Sequence, residues 1–211
     1  MTNVASTRRR RGRPPKDQAG FSETREALLR SGVELLTEKG YSATGIDEIL
    51  RRVGVPKGSF YHYFGSKEAF GAELIRHYSS FFEHKLDKFL SDEMLPPIDR
   101  LAAFMSDAAN GMARYQFKRG CLVGNLGQEM SALPEPFREQ LMAVFREWQQ
   151  RVENCLIEAK CAGQIAEAVD CRQSAYVFWI GWEGAVLRAK LDRSPDALNT
   201  FADFFLSTLM P

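Results

Sequence analysis

Residues 44–67 read TGIDEILRRVGVPKGSFYHYFGSK, and this stretch decides the fold that we expect for the chain. Its first apolar residues recur at the spacing of one face of a short helix: Ile46, Ile49, Leu50 and Val53. Thr44 is expected to cap the N-terminus of that helix, with Asp47 as its capping-box partner. Gly54 is expected to end the helix, and Pro56 stands where a second helix would begin.

In the second helix, Phe60 and Phe64 lie one turn apart, so we expect both rings to face inward. The outward face then carries Lys57, Gly58, Tyr61 and His62. A glycine lets the backbone approach a partner, a lysine suits phosphate, and tyrosine and histidine can hydrogen-bond phosphate or base edges. Two short helices with such a face predict a helix-turn-helix that binds DNA. An ordinary helical hairpin is the alternative interpretation, since apolar periodicity of this kind is common.

The same stretch resembles the signature of the TetR-type bacterial transcriptional repressors. That signature has a glycine-aromatic pair, a threonine and an apolar helix, followed by AGV-x-x-G-x-x-Y-x-[HY]-F-x-x-K. The chain matches it at Gly40, Tyr41, Thr44, Gly54, Val55, Gly58, Tyr61, Tyr63, Phe64 and Lys67. It departs from the signature at Gly45, Val53 and Pro56, where threonine, alanine and serine are usual.

This resemblance implies an all-α fold of nine helices. A three-helix helix-turn-helix domain is expected over residues 21–66, and a six-helix ligand-binding and dimerisation domain over residues 67–211. The resemblance also implies a homodimer, a palindromic double-stranded DNA operator and a small-molecule effector, without a cofactor, a metal or enzyme activity. The expected DNA contacts are Arg11, Arg13, Thr44, Lys57, Gly58, Ser59, Tyr61, His62 and Lys67. Because Lys67 opposes the dipole of the helix that it begins, we expect it to serve a phosphate.

Charge is unevenly distributed along the chain. Six of the 28 basic residues and no acidic residue precede Asp17, which leaves 22 basic against 27 acidic residues in the remainder. Residues 1–20 contain too few apolar side chains to fold, so we expect a disordered basic arm. Its run RRRRGRPPK resembles an AT-hook, which implies that Arg11 and Arg13 enter the minor groove of A·T-rich DNA. A basic tail that only aids solubility is the alternative.

The composition is typical of a globular protein. The 211 residues are 45% hydrophobic and 26% charged, enough to bury a substantial helical core. We find neither an apolar run of membrane-spanning length nor a secretory signal, and therefore expect a cytoplasmic location. Free thiols rather than a zinc site are expected, because no C-x-x-C spacing or paired histidine accompanies the four cysteines, Cys121, Cys155, Cys161 and Cys171.

Apolar periodicity, caps and prolines predict the remaining helices at residues 22–39, 67–88, 98–117, 121–130, 134–160, 172–191 and 196–209. Gly124 and Gly127 disfavour the short helix, which suggests a close approach by a ligand or a neighbouring helix. The last two helices carry small residues such as Gly181 and many large apolar ones, which favours a four-helix dimer interface. A buried hairpin within one subunit is the alternative.

A candidate sensor site lies in the second half of the chain. Trp179, Glu183, Val186 and Lys190 share one face of a predicted helix. A carboxylate and an ammonium are costly in an apolar stripe unless they are paired or used. Two other interpretations remain open: the charged pair can reach solvent at the edge of the stripe, and Cys121 can be a small buried hydrophobic residue.

Two segments, RGCLVGNLGQEM (119–130) and FWIGWEGAVLRAK (178–190), resemble those TetR-type repressors that respond to acrylate, in bacteria that use dimethylsulfoniopropionate, or to N-ethylmaleimide. This implies a redox-sensitive pair, in which Lys190 stabilises the Cys121 thiolate for addition to a Michael acceptor or for oxidation. Alternatively, Lys190 or Arg188 binds the carboxylate of acrylate without forming a covalent bond. The expected effector site comprises Tyr115, Cys121, Asn125, Trp179, Trp182, Glu183 and Lys190.

An effector at this site is expected to shift the body helices. The helix from Lys67 would carry the shift, change the spacing of the two DNA-reading helices and lower DNA affinity. Three rivals remain. An enzyme could use Cys121 as nucleophile, but no base is evident, because the three histidines, His62, His77 and His84, lie in the expected DNA-binding domain and the helix that follows it. An architectural DNA binder could act through its arm, and a TetR-type protein could be an activator or insensitive to ligand.

Overall fold

The structure, a computed structural model, describes residues 18–210. These residues form nine α-helices and one short 3-10 turn, with no strand among them, which confirms the predicted all-α class. The helices are α1 (Gln18–Lys39), α2 (Ile46–Val53), α3 (Lys57–Phe64), α4 (Lys67–Leu90), α5 (Pro97–Arg114), α6 (Leu122–Gln128), α7 (Glu135–Cys161), α8 (Cys171–Asp192) and α9 (Asp196–Leu209), and the 3-10 turn is Met130–Ala132.

The first helix begins earlier than the sequence suggests. Because α1 already includes Gln18, the predicted helix start at residue 22 and the predicted end of the arm at residue 20 both fall within the helix. Its other end agrees with the prediction, since Gly40 follows Lys39 with a φ of +82°. Arg11 and Arg13 lie outside the described residues, so their DNA contacts stay a prediction.

The predicted cap of α2 is wrong. Gly45 occupies the N-cap position, and no side chain caps this helix. Thr44 is instead buried, and its hydroxyl donates to the carbonyl oxygen of Gly40 at 2.6 Å. Its backbone N–H donates to the carbonyl oxygen of Tyr41 at 3.1 Å. Thr44 therefore fixes the turn between α1 and α2. Because its hydroxyl is buried, we no longer expect Thr44 to contact a phosphate.

The helix-turn-helix forms at the predicted residues. Gly54 ends α2 in the left-handed conformation with a φ of 73°, and Pro56 is the residue that precedes α3. Phe60 and Phe64 are buried, as predicted, and their ring centroids lie 5.0 and 4.7 Å from that of Phe70 in α4. This aromatic cluster holds α3 against α4, so the outward face of α3 is fixed by packing behind it.

Some helix ends differ from the prediction for local reasons. The Ser66 hydroxyl accepts a hydrogen bond from the N–H of Ala69 and caps α4. By contrast, α5 stops at Arg114 and not at residue 117, because Gln116 and Phe117 have φ values of 53° and 55° that no α-helix contains. The chain thereby turns into α6, whose N-cap is Cys121.

Large aromatic side chains fill the core between α4, α5, α7 and α8. The indole rings of Trp148 and Trp179 lie 4.9 Å apart at its centre, beside Phe82 and Phe104. A Cβ at Gly181 would lie 2.1 Å from the ring of Phe201, so this glycine lets α8 and α9 pack closely within one subunit. Gly181 thus supports the hairpin alternative and not a contact with a partner.

No helix in the described part of the chain is both long enough and apolar enough to cross a membrane. All four cysteines are free thiols, as predicted. Residues 18–210 contain no cluster of three or more histidine, cysteine or acidic side chains that could hold a metal ion.

Candidate DNA interface and effector cavity

The outward face of α3 is open to solvent. Lys57, Gly58, Tyr61 and His62 are all exposed there, and a Cβ at Gly58 would meet no atom within 4 Å. Ser59 is half-buried beside them. The Lys57 ammonium lies 3.2 Å from a carboxylate oxygen of the exposed Asp47, an ion pair that a phosphate can displace at little cost. The geometry thus leaves these side chains available to DNA, and their contacts stay predictions.

Lys67 has a role that the sequence did not reveal. Its ammonium donates to the carbonyl oxygen of Tyr41 at 3.1 Å and lies 4.4 Å from the centre of the Tyr41 ring. Burial lowers the pKa of Lys67, and the nearby Glu129 carboxylate opposes that effect. Lys67 therefore ties the start of α4 to the turn after α1, and the expectation that it serves a phosphate is revised.

A cavity of about 660 Å³ opens among α4, α5 and α8. Four of the predicted effector residues line it: Tyr115, Cys121, Trp182 and Glu183. Helix α4 contributes an aromatic stripe that includes Tyr78 and Phe82, and α8 adds Val186. A volume of this size suits a small-molecule ligand, and the mixture of apolar walls with a few polar groups is typical of ligand sites.

Cys121, Glu183 and Tyr78 lie together in the wall of the cavity. Cys121 Sγ also accepts from the N–H of Gly124 at 3.5 Å, which makes the thiol the cap of α6. The Glu183 carboxyl and the Tyr78 hydroxyl lie close enough to that sulfur to affect the pKa of the thiol. A Cβ at Gly124 would lie 2.0 Å from Glu183 Oε2, so the predicted close approach to this glycine is that of a neighbouring helix. No atom lies within 4 Å of the position that a Cβ at Gly127 would take, so Gly127 lacks such a reason.

Burial controls the protonation of this group. It raises the pKa of the Cys121 thiol well above its ordinary value, and the neighbouring Glu183 carboxylate raises it further. Burial also raises the pKa of Glu183 to about 7 and that of Tyr78 well above its ordinary value. The thiol is therefore protonated at neutral pH, in contrast to the reactive thiolate that the resemblance implies.

Lys190 and Asn125 do not line the cavity. The Lys190 ammonium lies 3.3 Å from the carbonyl oxygen of Thr37 and 3.4 Å from Asn125 Oδ1. Cys121 is not among its hydrogen-bond partners, so the expected pair of Cys121 and Lys190 is wrong for this conformation. Trp179 is also absent from the cavity wall, because its ring is buried in the core behind it.

The cations at the cavity are not those expected from the sequence. Arg188 is largely exposed and pairs with Asp192 on the outer side of α8 at 2.8 Å. Arg119 lines the cavity instead, with its guanidinium carbon 4.1 Å from the centre of the Tyr115 ring. Its Nη2 lies 3.2 Å from a carboxylate oxygen of Glu34, which leaves other N–H groups of the fork. The position of Arg119 directly before Gly120 and Cys121 was the available sequence signal.

An exposed apolar stripe runs along α8. It consists of Tyr176, Val177, Ile180, Leu187 and Leu191, and Phe204 of α9 extends it. The exposed Gly184 interrupts the large side chains in the middle of the stripe. Single exposed apolar residues are ordinary, but a contiguous stripe on two neighbouring helices is typical of an association surface.

Comparison with known proteins gives matches over both halves of the chain. Residues 28–74 match the family described as bacterial regulatory proteins, tetR family. Residues 97–205 match the tetracyclin repressor-like C-terminal domain. Both families are regulatory proteins, which weighs against an enzyme that uses Cys121.

Individual relatives cover most of the chain. It is 50% identical to the transcriptional regulator AcuR of Cereibacter sphaeroides over 93% of this chain and 89% of AcuR. It is 34% identical to the HTH-type transcriptional repressor NemR of Escherichia coli K12 over 84% and 89% of the two chains. The crystal structure of regulatory protein TetR from Rhodobacter sphaeroides superposes with a TM-score of 0.87 at 49% identity, covering 89% and 99%. Reduced E. coli NemR superposes with a TM-score of 0.79 at 30% identity, covering 90% and 97%.

Proposed function

The chain belongs to the TetR family of bacterial regulatory proteins, and from that premise we propose a repressor that releases its DNA when a small unsaturated acid enters the cavity among α4, α5 and α8. Members of this family bind DNA operators and small-molecule effectors and typically act as dimers. The observation that carries the proposal is the cavity itself, in which one thiol and four basic side chains, Lys85, Lys88, Arg114 and Arg119, lie among apolar walls.

Arg119 is the proposed partner of the effector carboxylate. It lines the cavity, it is stacked on Tyr115, and a guanidinium binds a carboxylate with two parallel hydrogen bonds. The apolar end of the acid would then lie against Trp182 and Val186. Acrylate fits this arrangement, as the resemblance of residues 119–130 and 178–190 implies, and the volume of about 660 Å³ also accommodates longer unsaturated acids.

A covalent sensor is the second candidate, and one observation favours it. Glu183, whose pKa burial raises to about 7, lies beside the Cys121 thiol and can accept its proton. The sulfur would then add to the β-carbon of a Michael acceptor, while the α-carbon takes up a proton. The raised pKa of the thiol makes this reaction slow in the present conformation, so we rank it below reversible binding.

The proposed assembly is a homodimer formed by the apolar stripe on α8 and Phe204 of α9. A two-fold axis through this stripe would present two α3 helices to the half-sites of a palindromic operator. Ile180→Glu places a charge in the stripe and should give a monomer in sedimentation experiments, whereas Met94→Glu, at another exposed apolar residue, should leave the dimer intact. A dimer that persists in Ile180→Glu would place the interface elsewhere.

Calorimetric titration with acrylate tests the proposed carboxylate site. We expect Arg119→Met to weaken acrylate binding by about tenfold or more, because a charge-assisted bidentate pair is lost. Arg188→Met is the matched control, since that arginine lies on the outer side of α8 and should not affect binding. Equal affinities for both variants and the wild type would remove Arg119 from the effector site.

A further inference from the structure

The segment of residues 119–129 has one side in the effector cavity and the other against the DNA-reading part of the chain. Arg119, Gly120 and Cys121 line the cavity. Asn125 and Glu129, one and two helical turns beyond Cys121, bond to the end of α1 and to the turn that follows it. The same short piece of chain therefore contacts both the proposed effector and the frame that carries α2 and α3.

The C-terminus of α1 is held by polar groups from the body. Asn125 Nδ2 donates to the carbonyl oxygens of Leu36 at 2.8 Å and Thr37 at 3.0 Å. The N–H of Gly120 donates to the Thr37 oxygen at 3.0 Å, and the Lys190 ammonium lies 3.3 Å from it. The last carbonyls of a helix lack partners and carry partial negative charge, so an ammonium and N–H donors are favoured there.

The turn after α1 is held from two sides. Glu129 Oε1 accepts from the N–H of Tyr41 at 2.9 Å, and Oε2 accepts from the N–H of Ser42 at 2.8 Å. From α4, the Lys67 ammonium donates to the carbonyl oxygen of Tyr41 at 3.1 Å. Gly40 adopts a φ of +82°, and a Cβ there would lie 1.9 Å from Glu129 Oε1. Glycine is thus required both for the conformation and for the approach of the carboxylate.

We propose that Asn125, Glu129 and Lys190 form a coupling joint through which a movement of residues 119–121 reorients α1 and the helix-turn-helix. They are positioning residues, because none of them lines the cavity or belongs to the outward face of α3. The joint rests on the proposed function and adds a second connection to that made by α4. Charge-assisted bonds to backbone atoms suit this role, since they transmit displacement of one element directly to the next.

If the joint exists, its variants should lose the coupling between acrylate binding and operator binding. Glu129→Gln and Asn125→Leu keep the side-chain shape but remove an acceptor charge or the donors, and Glu139→Gln on the exposed face of α7 is the matched control. Operator dissociation constants are measured by fluorescence anisotropy, with and without saturating acrylate, on DNA from upstream of the coding sequence. The ratio of the two constants should fall about tenfold or more in both joint variants and stay unchanged in the control.

A merely structural role would lower the melting temperature without changing that ratio. Acrylate affinity of the DNA-free protein should change by less than about twofold in both joint variants, because neither residue touches the cavity.

A second test of the joint needs no effector. Gly124→Val forces Glu183 or α6 to move, because even a Cβ at this position would lie 2.0 Å from Glu183 Oε2. We expect this substitution to change operator affinity in the wild-type background and to have much less effect in the Glu129→Gln background. The joint, but not the proposed function, would be overturned by two results together. The ratio of operator dissociation constants with and without acrylate would be undiminished in the joint variants, and the effects of Gly124→Val and Glu129→Gln on operator affinity would be additive.

The proposed function and the coupling joint can fail separately. Absence of specific operator binding by the wild type would overturn the proposed function and the joint with it. If the wild type binds its operator but does not respond to acrylate, the proposed effector is wrong. The comparison of Gly124→Val in the wild-type and Glu129→Gln backgrounds then still decides whether the joint exists.

Discussion

Replacing Glu183, which is half-buried in the cavity wall, by glutamine should change how stability depends on pH. Burial raises the pKa of this carboxyl to about 7, against an ordinary value of 4.5 in the unfolded chain. Between these values the folded state holds a proton that the unfolded state has released. The free energy of unfolding of the wild type therefore falls as pH rises through this window, and the loss is complete above the folded-state value.

The magnitude follows from the two pKa values. Their difference corresponds to at most about 3.5 kcal/mol, at about 1.4 kcal/mol for each pH unit. Glu183→Gln has no proton to lose, so its stability relative to the wild type should rise by up to that amount between pH 4.5 and pH 8. Tyr78 and Cys121, which face Glu183, stay protonated over this range because burial raises their pKa values.

Urea unfolding of both proteins at a series of pH values measures the effect. Protein concentration is held constant, since dimerisation contributes to the stability of an oligomer. Titration of other groups cancels in the difference between the two curves, and Glu139→Gln serves as the exposed control. A difference that does not change with pH, or that falls as pH rises, would refute the argument that Glu183 is held in its protonated form by burial.

Three further predictions concern single side chains. Lys57→Met should reduce the salt dependence of operator binding by about one counterion. Lys67→Met should leave it unchanged, because the Lys67 ammonium is bonded to Tyr41 within the protein. A reduced salt dependence in Lys67→Met would instead show that Lys67 contacts a phosphate. Thr44→Val should lower the free energy of unfolding by about 1–3 kcal/mol in urea titrations, because a buried carbonyl loses its donor, and an unchanged value would mean that this hydrogen bond is dispensable. Iodoacetamide should alkylate the exposed Cys161 before the buried Cys121, as peptide mass spectrometry can show, and the reverse order would contradict the protonated, enclosed thiol.

The helix-turn-helix and most helices could be predicted from the sequence because their signals are local. Gly54 and the Ser66 cap specify chain direction within a few residues, and the Phe60 and Phe64 pair needs only helical spacing. The errors arose where a local motif had two uses. Thr44 precedes a helix as an N-cap would, but its hydroxyl is bonded to Gly40 in the turn before it.

The lining of the cavity was predicted only in part because its members come from distant segments. Helical spacing correctly put Glu183 and Val186 on one face, but spacing cannot tell where along that face a cavity ends. Lys190 lies beyond the end of the cavity, where its ammonium binds the C-terminus of α1, a helix that is distant from Lys190 in sequence. Tyr78 and Arg119 were missed as site residues, because the kinked end of α5 at Gln116 and Phe117 decides where the following segment lies.

The most direct test of the central claim is release of labelled upstream DNA by acrylate, followed by fluorescence anisotropy with the wild type and with Cys121→Ser. The account predicts that acrylate releases the DNA from both proteins at similar concentrations, because the carboxylate is recognised reversibly and the thiol is protonated. Release that requires Cys121 would establish the covalent sensor instead. Binding of DNA that acrylate does not reverse in either protein would contradict the claim that acrylate is an effector of this protein.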